Sequence, residues 1–434
     1  PRRRRLVRPE LPVAFILAPP GQSHYHPRRM STLSSFGAAV SAAAFLFTSI
    51  IGCGDDAGGG ISANVDELFE YGSYEVGYRE FPITYTAAAT GENREDLLRV
   101  WYPAEPDSGA PSARYAVGGI VDQPAGIAID APPANEDSDR PFVVYSHGNG
   151  GEGLLAYPYG ELMASHGWIL VAPNHTGNTA FDFLETPDPF TRSALDRPYD
   201  ITAVIDEFES GLSGDDLAGK ADTAAVFLFG HSFGGYTTFA TGGVEADVDG
   251  LLASCEGESN AGCDLLANED VEAAYRAGFL DERIVAVAPQ APAISSLLTD
   301  PETDLFVGLA DIPTMVMSGT LDATTPYETS AVPSWEGTND PNDIWVNMPK
   351  GAHYTFLSIC YDLEPDILAF FRPDAGVDGC DPECVDAEEA MPVLQAYVRA
   401  FGRRHVLGEV RWDSVLKGPP LGNEGDFVIT TREP

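Results

Sequence analysis

Lysine is nearly missing from this chain of 434 residues: only Lys220, Lys350 and Lys417 occur. Positive charge as a whole is scarce, with 25 Lys and Arg against 66 Asp and Glu and a formal net charge of −41. A surface of that sign repels phosphate backbones, so nucleic acid is excluded as a partner and anionic substrates are disfavoured. No glycine-rich turn ends in Gly-Lys-Ser or Gly-Lys-Thr, which removes a phosphate-binding loop. Cysteines number six, and Cys380-x3-Cys384 finds no second His or Cys pair at a spacing that completes four zinc ligands. Asp247-Val248-Asp249-Gly250 begins like a calcium loop, but the twelve-residue pattern is not completed. No metal and no organic cofactor is expected. The run from Phe36 to Ile51 is uncharged, yet its 16 residues fall short of the ~20 that span a bilayer. Internal repeats are absent as well.

What the chain does hold is Ala224 to Ala240, AAVFLFGHSFGGYTTFA: a strand-like apolar run, a break at Gly230-His231-Ser232-Phe233-Gly234-Gly235, then a small-residue helix. This is the pattern of a nucleophile elbow, a turn so tight that the serine takes a strained backbone angle and glycines two residues to either side let neighbouring chains pass. A serine alcohol needs a base, and the base needs an acid to orient it, in the chain order Ser, Asp or Glu, His. Ile312 to Leu321 reads as a strand, and Asp322 follows where a loop leaves its carboxyl end. Asp311 precedes that strand and Asp343 leads into the next one, Asp343 to Met348, so both lie at the wrong end. The loop Pro349-Lys350-Gly351-Ala352-His353-Tyr354 leaves this second strand and supplies His353 as the base.

The other histidines have plainer places. His24 and His26 lie upstream of the expected mature chain, His166 ends a helix, and His405 belongs to the C-terminal tail. His147 and His231 sit inside motifs where an imidazole packs beside the site, and His175 ends a strand, from which it can reach the pocket. An oxyanion hole needs two N–H groups. Phe233, after the nucleophile, supplies one. Pro141 to Gly151 (PFVVYSHGNGG), a buried strand running into a glycine-rich turn, supplies the other at Asn149.

From about Tyr74 to Arg404 the chain resembles the α/β-hydrolase superfamily, in its branch of platelet-activating-factor acetylhydrolase-like proteins, predicted dienelactone hydrolases and polyester hydrolase or cutinase-like enzymes. The segments that carry the resemblance are LLRVWYPA (Leu97 to Ala104), VVYSHGNGG (Val143 to Gly151), SHGWILVAPNHTGN (Ser165 to Asn178), RPYDITAVIDEF (Arg197 to Phe208), FGHSFGGYTT (Phe229 to Thr238), SGTLDATTPYE (Ser318 to Glu328) and GAHYTFLSIC (Gly351 to Cys360). The resemblance implies an eight-stranded, mostly parallel sheet with helices on both faces and esterase activity on short-chain or lipid-like esters. Dienelactone hydrolases use a cysteine where Ser232 stands. Polyester hydrolases grip aromatic rings with an aromatic residue and a tryptophan; Asn149 and Pro289-Gln290-Ala291 take those places, which puts Gln290 at the pocket and leaves no aromatic clamp.

Pro1 to Arg29 lacks an initial Met and reads as upstream sequence. Residues 30–52, ending in Gly52-Cys53, resemble a lipoprotein signal, so Cys53 is the expected lipidation site of an exported envelope protein, with ordinary secretion as the alternative. Removal of residues 1–52 takes away seven Arg and one Glu, leaving 18 basic and 65 acidic residues, or −47. Residues 53–73 are expected to be a flexible linker. Cys255 and Cys263 are expected to bridge across an acidic loop, and Cys360 to pair with Cys380 or, equally, with Cys384. Expected strands are Tyr74 to Tyr85 and Leu97 to Tyr102 as an antiparallel pair. Phe142 to Ser146, Trp168 to Ala172, Ala225 to Phe229, Arg283 to Ala288, Thr314 to Ser318 and Ile344 to Asn347 follow as parallel strands. The five tryptophans belong to the core. The insertion from Val244 to Leu280 is placed to cap the pocket, Ala387 to Arg404 is a closing helix, and His405 to Pro434 is a tail. The function that follows is ester hydrolysis through an acyl-enzyme. The alternatives are a polyester hydrolase, a peptidase or thioesterase with the same triad, or a noncatalytic binding lipoprotein.

Overall fold

The structure, a computed structural model, describes residues 63–432 apart from 118–120, 136–138, 185–187, 189, 258–260 and 295–310. Eleven strands form one sheet: β1 (Glu75–Thr86), β2 (Asn93–Ala104), β3 (Ser112–Val117), β4 (Val121–Ile129), β5 (Arg140–Ser146), β6 (Ile169–Pro173), β7 (Ala221–His231), β8 (Ile284–Gln290), β9 (Met315–Gly319), β10 (Ile344–Met348) and β11 (Val428–Thr431). Their order is β11-β10-β9-β8-β7-β5-β6-β2-β1-β4-β3. The block from β10 to β6 is parallel throughout. β2 joins it antiparallel to β6 and pairs antiparallel with β1, while β11 runs antiparallel along β10. The result is an α/β fold with a mixed, mostly parallel sheet, compatible with the expected α/β-hydrolase fold. It has eleven strands rather than the expected eight because β11 extends one edge antiparallel to β10, while at the other edge β4 pairs parallel with β1 and β3 antiparallel with β4.

The parallel strands are buried on both faces, which is why they read as nearly unbroken apolar runs. Alternation along β7 divides the core. Phe227 and Phe229 face one layer, with Tyr397 and Phe401, and Val226 and Leu228 face the other, with Ile201 and Phe208. Each layer is closed by a long amphipathic helix. Phe190–Ser210 buries Ile201, Val204, Ile205 and Phe208, and Ala387–His405 buries Leu394, Tyr397, Val398 and Phe401; both sets have i, i+3, i+4, i+7 spacing. Trp101, Trp168 and Trp412 are fully buried.

Three expectations need correction. The tail after Arg404 is built into the fold: Trp412, Leu416 and Phe427 are buried and β11 extends the sheet. The described end of the expected linker is also packed, since Val65–Leu68 forms a 3-10 turn with Leu68 buried. The insertion does not sit over Ser232. Its helices Val248–Ser254 and Glu269–Ala277 pack with Leu195, Tyr236 and Phe239, so its apolar residues complete the core on the far side of the nucleophile helix. The upstream segment 1–29, the signal 30–52 and Cys53 lie outside the described residues.

Two disulfides form, Cys255–Cys263 and Cys360–Cys380, with Cα separations of 5.5 and 5.1 Å. Among the described residues Cys384 is the free thiol; burial and its hydrogen bond to Asp381 raise its pKa to about 12.

Candidate active site

Four loops leave the carboxyl ends of neighbouring parallel strands, the place where open α/β sheets gather their reacting groups. Ser232 follows β7 with φ 58° and ψ −114°, the strained conformation of an elbow. The glycines around it are required by contact. A Cβ on Gly234 would lie 1.8 Å from the Ser146 carbonyl oxygen, and one on Gly230 would lie 2.6 Å from the Gly234 oxygen. The serine N–H is anchored by the Gln290 carbonyl at the end of β8, at 2.8 Å.

His353, after β10, approaches Ser232 Oγ with Nε2 at 2.9 Å and Asp322 Oδ2 with Nδ1 at 2.9 Å. A carboxylate only accepts, so Nδ1 carries the proton and Nε2 is free to take one from the serine. Asp322, after β9, is fixed on both oxygens by Thr325, whose N–H donates to Oδ1 at 2.6 Å and whose hydroxyl donates to Oδ2 at 2.7 Å. His231 Nε2 donates to the His353 carbonyl at 2.8 Å. Burial, with His353 and Arg372 nearby, holds the His231 pKa well below its ordinary value, so this imidazole is a neutral brace. Asp343 lies at the opposite end of β10, fully buried, where it accepts the Thr314 N–H at 2.9 Å.

Asn149 lies in the loop after β5. Its side-chain oxygen accepts from Asn178 at 2.8 Å, and its carbonyl accepts from Arg372 at 2.7 Å. Arg372 also donates to the Gly150 carbonyl. Asn149 and Ser232 both line a cavity of about 220 Å³. Its far wall is apolar and comes from the segment after His353: Tyr354, Leu357, Ile359, Leu363 and Ile367. Among the described lining residues none belongs to the 244–280 insertion.

Two expected pocket residues lie elsewhere. Gln290 is fully buried, with its amide on the Tyr159 hydroxyl at 3.1 Å. His175 is fully buried behind the β5 loop, where Nε2 meets Ser146 Oγ at 2.9 Å and Nδ1 meets Asp200 Oδ2 at 2.8 Å. Ser146, His175 and Asp200 thus repeat the serine, histidine, carboxylate order with no opening to the cavity. Burial lowers the His175 pKa to about 4, with Arg197 adding to the effect. Burial alone would raise the Asp200 pKa, but Arg94 and His175 hold it well below the usual carboxylate range. Arg94 bonds Asp200 at 2.9 Å and Asp196 at 2.8 Å, and Arg197 bonds the His147 carbonyl, so this buried network fixes the loop that carries Asn149.

Sequence reasoning missed Thr325, Arg372 and Asp378. Thr325 has a local signal, an Asp-x-x-Thr turn in which each side chain serves the other's neighbourhood. Arg372 and Asp378 have none, since both reach residues distant in the chain.

No protein-family model and no curated protein matches the chain. Among solved structures it is similar to a ferulic acid esterase from Streptomyces cinnamoneus, with a TM-score of 0.57 and 19% identity over 83% of this chain and 97% of that one. At that identity the likeness speaks for the fold.

Proposed function

We propose that this protein is a serine hydrolase of carboxylic esters, with short-chain or lipid-like esters as substrates. One observation carries the reading: Ser232 Oγ, His353 and Asp322 are joined by two 2.9 Å hydrogen bonds beside an apolar cavity. In the first step Ser232 Oγ attacks the acyl carbon while His353 Nε2 takes its proton. The carbonyl oxygen becomes an oxyanion facing the Phe233 and Asn149 N–H groups, each worth about 3 to 4 kcal/mol of barrier. Collapse of the intermediate breaks the bond to the alcohol, which leaves with the proton from His353. Water, deprotonated by His353, then attacks the acyl-enzyme and releases the acid and free Ser232. Asp322 holds the imidazole in the required tautomer throughout.

The small cavity favours a short acyl group, and the ferulic acid esterase likeness adds feruloyl esters to the candidates. The two disulfides support export to an oxidising compartment. Lipid attachment at Cys53 is part of the proposal and is tested separately, by loss of membrane association in Cys53→Ser. No helix among the described residues is long and apolar enough to cross a membrane.

The test is hydrolysis of p-nitrophenyl esters from acetate to palmitate, together with a feruloyl ester, by the protein and its Ser232→Ala variant. Turnover that disappears in the variant and peaks at short chains supports the proposal. Ser232-dependent cleavage of amides or thioesters alone moves the peptidase or thioesterase reading forward, and no Ser232-dependent turnover leaves the binding module.

A further inference from the structure

We infer that Asp378 is a positioning residue that holds the loop of the acid and the loop of the base in register; the inference rests on the serine-hydrolase reading of Ser232, Asp322 and His353. Asp322 and His353 lie on loops from two different strands, and the last main-chain tie between those loops, Leu321 N–H to the Gly351 carbonyl at 2.9 Å, comes before both residues. Beyond it the Asp378 carboxylate makes the connection. Its Oδ1 accepts the Ala323 N–H at 3.0 Å and the His353 N–H at 3.2 Å. Its Oδ2 accepts the Thr324 N–H at 3.0 Å and the Thr324 hydroxyl at 2.7 Å. The donors are the two residues directly after the acid and the base itself. The Asp378 carbonyl accepts the Tyr354 N–H at 2.9 Å, so the main chain is gripped on both sides of His353.

Asp378 is 2% exposed, and among the described residues no Arg or Lys lies within ion-pair distance of it. Four donors converging on an acceptor-only group explain why a carboxylate stands here rather than an amide, which would turn an NH2 toward one pair of them. Asp378 does not line the cavity, and its side chain acts through the two loops. Cys380, two residues on, is fixed by its disulfide to Cys360, so the carboxylate is delivered from a tethered segment.

The experiment measures kcat and KM on the best p-nitrophenyl ester, and the rate of Ser232 labelling by a fluorophosphonate, for wild type, Asp378→Ala and Asp378→Asn, each checked for folding by circular dichroism. Loose loops misplace the base, and misplacement of about 1 Å costs on the order of 10²-fold. Asp378→Ala is therefore expected to lose about 10²-fold in kcat and labelling with KM within about twofold of wild type, while Asp378→Asn, keeping one acceptor oxygen, recovers to about tenfold below wild type. Folded Asp378→Ala with wild-type kcat, or with its whole defect in KM, overturns the inference. If the alanine variant does not fold, Asp378→Asn decides: lowered kcat at constant KM supports it and wild-type kcat overturns it. Wild-type protein whose Ser232 is neither labelled nor needed for turnover overturns the hydrolase reading and this inference together; wild type that labels no faster than a folded Asp378→Ala overturns this one alone.

Discussion

Thr325 grips both oxygens of Asp322 and lies 3.2 Å from His353 Nδ1, so the carboxylate cannot rotate away as the imidazole becomes charged. Thr325→Val keeps the shape and the main-chain bond but loses the hydroxyl. Loss of one hydrogen bond to a charged group is expected to lower kcat about tenfold, read in steady-state turnover well below the variant's melting temperature. His175 makes a second prediction, of pH dependence. Its folded pKa is about 4 and its unfolded value about 6.5, so between those values the unfolded chain holds more protons and stability falls as pH is lowered. The loss from this residue is on the order of 3 kcal/mol. His175→Asn, which keeps an N–H toward Asp200, is expected to flatten the decline of the urea midpoint from pH 6.5 to 4; His147 and His231, lowered in the same sense, leave a residual slope. A slope as steep as wild type would assign the acid sensitivity elsewhere. Ser232, Asp322, His353 and Asn149 were legible because each follows a recognisable strand, and strand ends meet in this fold. His175 and Gln290 were misplaced for a related reason: a strand end fixes where a residue lies, while its side chain can face the core instead of the opening.

The six parallel strands were readable to within a few residues, because burial on both faces leaves no polar interruption in them. β3, β4 and β11 were not. β4 contains Pro124 and Gly126, which weaken a strand pattern, and β11 is four residues long in a Gly- and Pro-rich tail. The pocket wall was misassigned because an insertion after the nucleophile helix looks like a cap in sequence, whereas its buried Val248, Leu266 and Val271 belong to the core. The segment bounded by Cys360 and Cys380 carries Leu363 and Ile367 of the apolar wall, Arg372 on the Asn149 loop and Asp378 on the other two. The two disulfides are therefore expected to behave differently. Replacing Cys360 and Cys380 by Ser should cost about 3 kcal/mol of stability by loop entropy, and it should lower kcat measured well below the melting temperature. Replacing Cys255 and Cys263 should cost about 2 to 3 kcal/mol and leave kcat unchanged, since none of that loop's described residues lines the cavity. Equal loss of kcat in both pairs would remove the special place of the 360–380 segment.

Over the whole molecule, 66 acidic side chains against 25 basic ones repel one another in the folded state. Ions screen that repulsion over about 8 to 10 Å at physiological strength. The melting temperature is expected to rise by several degrees between low salt and about 1 M NaCl, and a flat response in calorimetry would mean that the charges are already neutralised by local pairing. The same sheet brings two serines against a histidine that is itself bonded to a carboxylate: Ser232, at the cavity, and Ser146, sealed behind the loop after β5. Their hydrogen bonding is alike, yet burial lowers the His175 pKa to about 4 and only Ser232 lines the cavity. Stoichiometric inactivation by a phosphonylating reagent is thus expected to titrate one site per chain, set by access and not by how many serines meet a histidine in the fold.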